Sequence, residues 1–227
     1  MITSMKKKLI AVLALASLLV TGCQNTSPGT PAATAAPSSA DASPAGTSAA
    51  SPKITITNLV DFHVLDDPAD MSEYKWMDKN DTSFTGISLQ ESIRFFTEKG
   101  SGILVFSAPT CPFCNRAMPI LDDVLAEYGI RAYYVDTNQP IASDMATSMQ
   151  LYNELFDYLV SIFELDDNGQ PMFQIPEVVA IKDGQIMGHH LSLVESFTIA
   201  DEDSQMNEEQ TEELKQIYRK LIESCAD

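Results

Sequence analysis

The stretch Ile103-Leu104-Val105-Phe106-Ser107-Ala108-Pro109-Thr110-Cys111-Pro112-Phe113-Cys114 decides how this chain is read. Its first four residues are a continuous apolar run of β-formers, the pattern of a strand buried on both faces, and Asn115 to Tyr128 continues with helical periodicity. Two cysteines separated by two residues therefore sit where a strand hands over to a helix. The first turn of a helix offers unpaired N–H groups and the positive end of the dipole, and both favour a thiolate at Cys111. Cys111 reads as the nucleophile. One helical turn brings the Cys114 sulfur within reach of a small disulfide ring, so Cys114 reads as the resolving thiol, able to expel a partner held at Cys111 in a mixed disulfide.

A CxxC pair is equally half of a zinc site, and a four-ligand site wants a second such pair or a spaced pair of histidines. The remaining donors are Cys23, Cys225, His63 and the adjacent His189-His190, a set without that spacing. The redox reading is preferred, with no metal and no cofactor expected.

The pattern extends past the cysteines. Pro119 lies five residues after Cys114, Pro119-Ile120-Leu121-Asp122 runs on through Glu127-Tyr128, and Ile175-Pro176 precedes Val178-Val179-Ala180-Ile181-Lys182-Asp183-Gly184. In these features the chain resembles the thioredoxin superfamily. The resemblance implies an α/β thioredoxin-like fold, a central mixed sheet flanked by helices, with an enlarged helical insertion before the cis-proline strand. It also implies a helix kink at Pro119, a cis peptide before Pro176 facing the disulfide, and an Ile175 backbone placed to pair with an extended substrate. Cys111 and Cys114 would form the redox-active disulfide, while Thr110, Pro112 and Phe113 shape the active-site turn, Thr110 being a candidate helix cap. Two positions depart from the pattern of the reducing thioredoxins, which carry a buried acid six residues before the first cysteine and Trp immediately before it; here these are Val105 and Thr110. Glu177, beside Pro176, is the candidate for the missing acid. The Pro-Phe pair is closer to glutaredoxin-like and disulfide-oxidant turns than to the Gly-Pro of reducing thioredoxins, and both directions of transfer stay open.

Met5-Lys6-Lys7-Lys8 followed by apolar Leu9 to Val20 is a secretory signal, too short to span a bilayer. It ends Leu19-Val20-Thr21-Gly22-Cys23, which resembles a bacterial lipobox. Residues 1–22 would then be removed, and Cys23 would carry a lipid anchor of the palmitate kind held by burial of its methylenes. Residues 23–52 are Ser, Thr, Ala, Pro and Gly with almost no charge, the composition of a disordered tether, and 53–227 is the thioredoxin-like domain. The chain has 14 basic and 32 acidic residues; without Lys6, Lys7 and Lys8 the balance is 11 against 32, a net charge of −21. Such a surface repels nucleic acid, so no nucleic-acid partner is expected. The expected location is the extracytoplasmic face of the bacterial cell membrane.

Within the domain, Ile54-Thr55-Ile56-Thr57 alternates like a first strand, and Leu59 to Phe84 reads as a long Asp-rich ordered loop anchored by Tyr74 and Trp76. Ser88-Leu89-Gln90-Glu91 is a capping-box signature for a helix running to about Lys99. Ile130 to Asp136 is the next strand. Met145, Met149, Tyr152, Phe156, Leu159 and Phe163 recur at steps of four and three, which predicts one helix of about six turns with that face in the core. Lys182-Asp183-Gly184-Gln185 is a hairpin turn. His189 and His190, adjacent on a strand, point to opposite faces. Cys225 falls on the apolar face of a terminal helix and reads as a buried small hydrophobe.

The expected function is that of a membrane-anchored thiol–disulfide oxidoreductase acting on thiols and disulfides of exported proteins or peptides, with a membrane electron-transfer protein as a candidate partner. A looser resemblance over residues 84–190, to thioredoxin-like accessory proteins of Gram-positive bacteria including those accompanying bacteriocin export, implies exported peptide disulfides as a substrate class. Two other classes compete: a non-catalytic thioredoxin-like interaction module, indifferent to loss of Cys111, and a thiol-based metal or redox sensor.

Overall fold

Ile103 and Val105 alternate with Leu104 and Phe106 along one strand, and this alternation sorts the core into two layers. The computed structural model describes residues 53–77 and 82–227, which fall within one compact unit, Ser48–Asp227. The signal segment 1–22, Cys23 and the tether 23–52 lie outside the described residues.

In chain order the elements are β1 (Val64–Asp66), β2 (Phe84–Ile87), α1 (Leu89–Thr97), β3 (Gly102–Ser107), α2 (Pro112–Tyr128), β4 (Ala132–Asp136) and α3 (Met145–Leu159). A small hairpin of β5 (Glu164–Leu165) and β6 (Pro171–Met172) follows, then β7 (Glu177–Lys182), β8 (Gln185–Leu191) and α4 (Glu208–Ser224). The main sheet has the order β1-β2-β4-β3-β7-β8. β2, β4 and β3 run parallel, and β1, β7 and β8 are antiparallel to their neighbours. Ile103 and Val105, with Val178 and Ala180, face α2 and α4; Leu104 and Phe106, with Val179 and Ile181, face α1 and α3. Each fully buried side chain of this size contributes about 1.5–3 kcal/mol relative to exposure. A central mixed sheet flanked by four helices is a thioredoxin-like fold.

Local signals explain most boundaries. Gly129 ends α2 in the left-handed region at φ 67, and Asp183 and Gly184, at φ 51 and 76, make the primed turn between β7 and β8. Ser88 caps α1 by accepting the N–H of Glu91 at 3.2 Å. The reciprocal half of the expected capping box is absent, because the Glu91 carboxylate accepts the N–H of His63 at 2.8 Å and pairs with Arg94 at 2.6 Å.

Three expectations are corrected. Ile54–Thr57 is not a strand: its backbone is bonded by the last residue of the chain, with Asp227 N–H on the Thr55 carbonyl at 3.0 Å and Thr57 N–H on Asp227 Oδ2 at 3.1 Å. The loop from Leu59 contains β1 and runs into β2, whose four residues are all buried although Thr85 and Gly86 break the apolar pattern. Gly86 leaves room there for the Asp66 side chain, whose Oδ1 would lie 1.8 Å from a Cβ and would have to move for any larger residue. The long helix stops at Leu159 and closes with a 3₁₀ turn, Val160–Ile162, short of Phe163. Its inward stripe is Leu151, Leu155 and Leu159, at steps of four, while Met145 and Met149 are 75% and 58% exposed. The expected core face is thus turned away from the sheet at its first two turns.

Candidate active site

The turn between β3 and α2 builds the site. Cys111 is itself the N-cap residue of α2, in extended conformation, and Pro112 occupies the first helical position, where its missing N–H costs nothing. The Cys111 sulfur accepts the Cys114 N–H at 3.3 Å and lies 3.6 Å from the carbonyl oxygen of Ile175. Thr110 does not cap the helix, as the sulfur takes that role; the Thr110 hydroxyl donates to Asn138 Oδ1 at 3.1 Å. The Ile175–Pro176 peptide is cis, Pro176 is buried, and the carbonyl just before it faces the first cysteine. Pro112 and Phe113 stand exposed on the rim.

Both cysteines are free thiols in this structure and differ in environment. The hydrogen bond from the Cys114 thiol, helped by the N–H groups of Cys114 and Phe113 and opposed by burial, brings Cys111 down to about 6. Burial pushes the fully buried Cys114 far above the ordinary thiol value, and its bond to the Cys111 sulfur adds to this. The Ser107 hydroxyl and the Ala108 N–H act on Cys114 in the other direction. At neutral pH the pair therefore divides into an accessible thiolate and a buried thiol.

Two residues that sequence reasoning missed lock the turn. Asn115 donates to the carbonyls of Pro109 at 2.7 Å and Cys111 at 3.0 Å, and accepts the N–H of Lys75 at 2.5 Å. Arg116, buried, donates to the carbonyls of Pro112, Ser204, Asp201 and Glu202, and its guanidinium lies 4.8 Å from the Trp76 ring. A basic residue followed directly by the apolar Ala117-Met118 in the first turns of the helix was the available signal.

The Asp-rich loop brings Tyr74 to the site. Tyr74 is buried, and its hydroxyl lies 2.7 Å from Ser107 Oγ and 3.1 Å from the hydroxyl of Tyr134. The aspartates of the loop make local turns: Asp66 accepts the N–H of Asp70 at 2.7 Å, and Asp70 that of Ser72 at 2.9 Å. Beside the turn a cleft of about 820 Å³ opens between Pro109, Tyr74, Tyr134, Asp136, Tyr152 and Phe173.

Glu177 does not take the place of an acid beside Cys114. On β7 it alternates with Val178 and so shares the Val179 face, away from α2, and its carboxyl sits 3.0 Å from His189 Nδ1. Burial, helped by the Glu164 charge, raises Glu177 to about 8, and burial lowers His189 with the Glu164 charge opposing, so both shifts favour the neutral forms of the pair. His190 points to the other face, against the ring of Tyr218. Cys225 is fully buried, and burial raises it to about 11. Among the described residues no three His, Cys, Asp or Glu side chains are grouped to hold a metal ion, and no helix is long and apolar enough to cross a membrane.

A known family covers this turn. The family model described as TraF, F plasmid transfer operon protein, matches residues 88–159, from the cap of α1 to the end of α3, about a third of the chain. The matched segment contains both cysteines; the cis-proline strand and α4 lie beyond it. No curated protein matches the chain.

Proposed function

We propose that this chain is a thiol–disulfide oxidoreductase, anchored through Cys23 to the extracytoplasmic face of the membrane and acting on disulfides of exported proteins or peptides. The observation that carries the reading is the Cys111 sulfur at the helix start, lowered to about 6, beside the cis Ile175–Pro176 bond and one turn from a buried thiol. In the reducing direction the Cys111 thiolate attacks one sulfur of a substrate disulfide and releases the other as a thiolate. Cys114 then loses its proton and attacks the Cys111 sulfur, closing the Cys111–Cys114 bond and freeing the second substrate thiol. Two electrons pass to the substrate. The oxidising direction is the reverse sequence. Ile175 and Pro176 hold the substrate chain against the turn, and Phe113 is the exposed apolar group beside it.

Stabilising the Cys111 thiolate favours the reduced form, which makes the disulfide a better oxidant. The reduction potential is expected above the about −270 mV of thioredoxin, toward the range of about −120 to −180 mV of dedicated oxidants and isomerases. Equilibration with glutathione buffers and alkylation of free thiols measures it. A pair that forms no disulfide at any poise sinks the reading.

A further inference from the structure

The resolving step has a requirement that the described geometry addresses. Cys114 is fully buried and must shed a proton before it can attack, yet the position that holds an acid in reducing thioredoxins is Val105, and Glu177 faces the other side of the sheet. The polar side chain that reaches Cys114 from the sheet is Ser107, at the last position of β3 and itself fully buried. From Ser107 Oγ the next atom is the Tyr74 hydroxyl at 2.7 Å, and from there the Tyr134 hydroxyl at 3.1 Å. In both contacts either oxygen is able to donate. Tyr74 and Tyr134 both line the cleft, where Asp136 stands at the end of β4.

We propose that Ser107, Tyr74 and Tyr134 form a hydroxyl relay that carries the proton of Cys114 out to the solvent of the cleft and returns it in the reverse reaction. This deepens the oxidoreductase reading and rests on it. The transfer is concerted: the Cys114 S–H passes its proton to Ser107 Oγ, Ser107 passes its own to Tyr74, Tyr74 to Tyr134, and Tyr134 to a water in the cleft near Asp136. Every hydroxyl ends neutral, the sulfur ends as a thiolate, and one proton enters solvent. No tyrosinate forms, in keeping with the burial that holds both phenols far above their ordinary range. Ser107 is the hydroxyl that acts on the Cys114 thiol; Tyr74 and Tyr134 act through it as positioning residues. The titratable groups facing this chain are Cys111 from α2, Tyr218 from α4 and Asp136 from β4, with Glu177 of β7 acting on Tyr218.

The test separates the two thiols in time. Reduced full-length protein mixed with Ellman's reagent releases one equivalent of coloured thiolate as Cys111 is modified, in a phase that scales with reagent. A second equivalent follows as Cys114 resolves the mixed disulfide, in a phase independent of reagent. In Tyr74→Phe and Ser107→Ala the rate of the second phase relative to the first is expected to fall by about tenfold or more, and the pH profile of the second phase to move upward. In heavy water the wild-type second phase is expected to slow beyond the effect on the first, and that difference to disappear in Tyr74→Phe. A wild-type protein that releases a single equivalent overturns the oxidoreductase reading itself. Two equivalents, with the second phase the same in all variants and equal in light and heavy water, overturn the relay alone. Should Tyr74→Phe not fold, Tyr134→Phe and the wild-type solvent effect decide the matter.

Discussion

At the scale of single residues the site works by setting two chemically identical thiols apart. The main lowering of Cys111 comes from the Cys114 thiol, ahead of the backbone N–H groups. Cys114→Ala is therefore expected to move the midpoint of Cys111 alkylation by iodoacetamide upward from about 6 toward the ordinary thiol value; an unmoved midpoint assigns the effect to the helix start instead. Glu177 is the residue with the clearest pH signature. It keeps its proton up to about 8 when folded against 4.5 for the free group, so between these values the folded state binds more protons than the unfolded. The Glu177 contribution to stability then falls as pH rises through that window, by at most about 1.4 kcal/mol per pH unit, while the lowered Cys111 and histidines contribute with the opposite sign. The difference between wild type and Glu177→Gln isolates it: urea unfolding at a series of pH values is expected to show the wild-type advantage shrinking as pH rises from 4.5 to about 8, and a difference that does not change with pH refutes the assignment. Of these residues Cys111, Cys114 and Pro176 were legible because a motif spaces them. Ser107, Tyr74 and Tyr134 were not, since their contacts join positions 33 and 60 residues apart that carry no shared pattern.

At the scale of elements, α2 carries the chemistry and two loops hold it. Arg116 is the joint: one guanidinium ties the helix start to the 201–204 loop and packs on Trp76, and Lys75 pairs with Asp203 at 2.6 Å across the same junction. Arg116→Met is expected to cost roughly 1.5–3 kcal/mol by removing the charge-assisted bonds to the carbonyls of Pro112, Asp201, Glu202 and Ser204. It should also open the 200–206 segment to limited proteolysis while the two-equivalent reaction with Ellman's reagent persists. Protection equal to wild type would show that the loop is held by other contacts. The end of α2 and the β7–β8 turn were well read from sequence, because Gly129 and Asp183-Gly184 take backbone shapes that few residues allow. The face of α3 was misread. Met149, Tyr152 and Phe156 match a helical stripe as well as Leu151, Leu155 and Leu159 do, and only the tertiary position of the helix chooses between them. β2 escaped notice for a related reason: four residues with Thr85 and Gly86 at the centre carry too little apolar signal to be told from loop.

At the scale of the whole molecule, the order of strand, CxxC turn, helix and proline strand carries the resemblance that implied the thioredoxin-like fold, and β3 and β7 are indeed neighbours in the sheet. The proposed membrane anchor rests on Cys23, outside the described residues. Cys23→Ser is expected to shift the protein from the membrane fraction to the soluble fraction with its thiol chemistry intact, and retention in the membrane would refute the lipid. The attachment has a mechanical side. Where the domain begins, Thr55 and Thr57 are clasped by Asp227, and Lys182 of β7 holds the carbonyl of Ala226. A pull arriving along the chain from the N-terminal side is thus received first by the end of α4 and by β7, and not at the Cys111 turn.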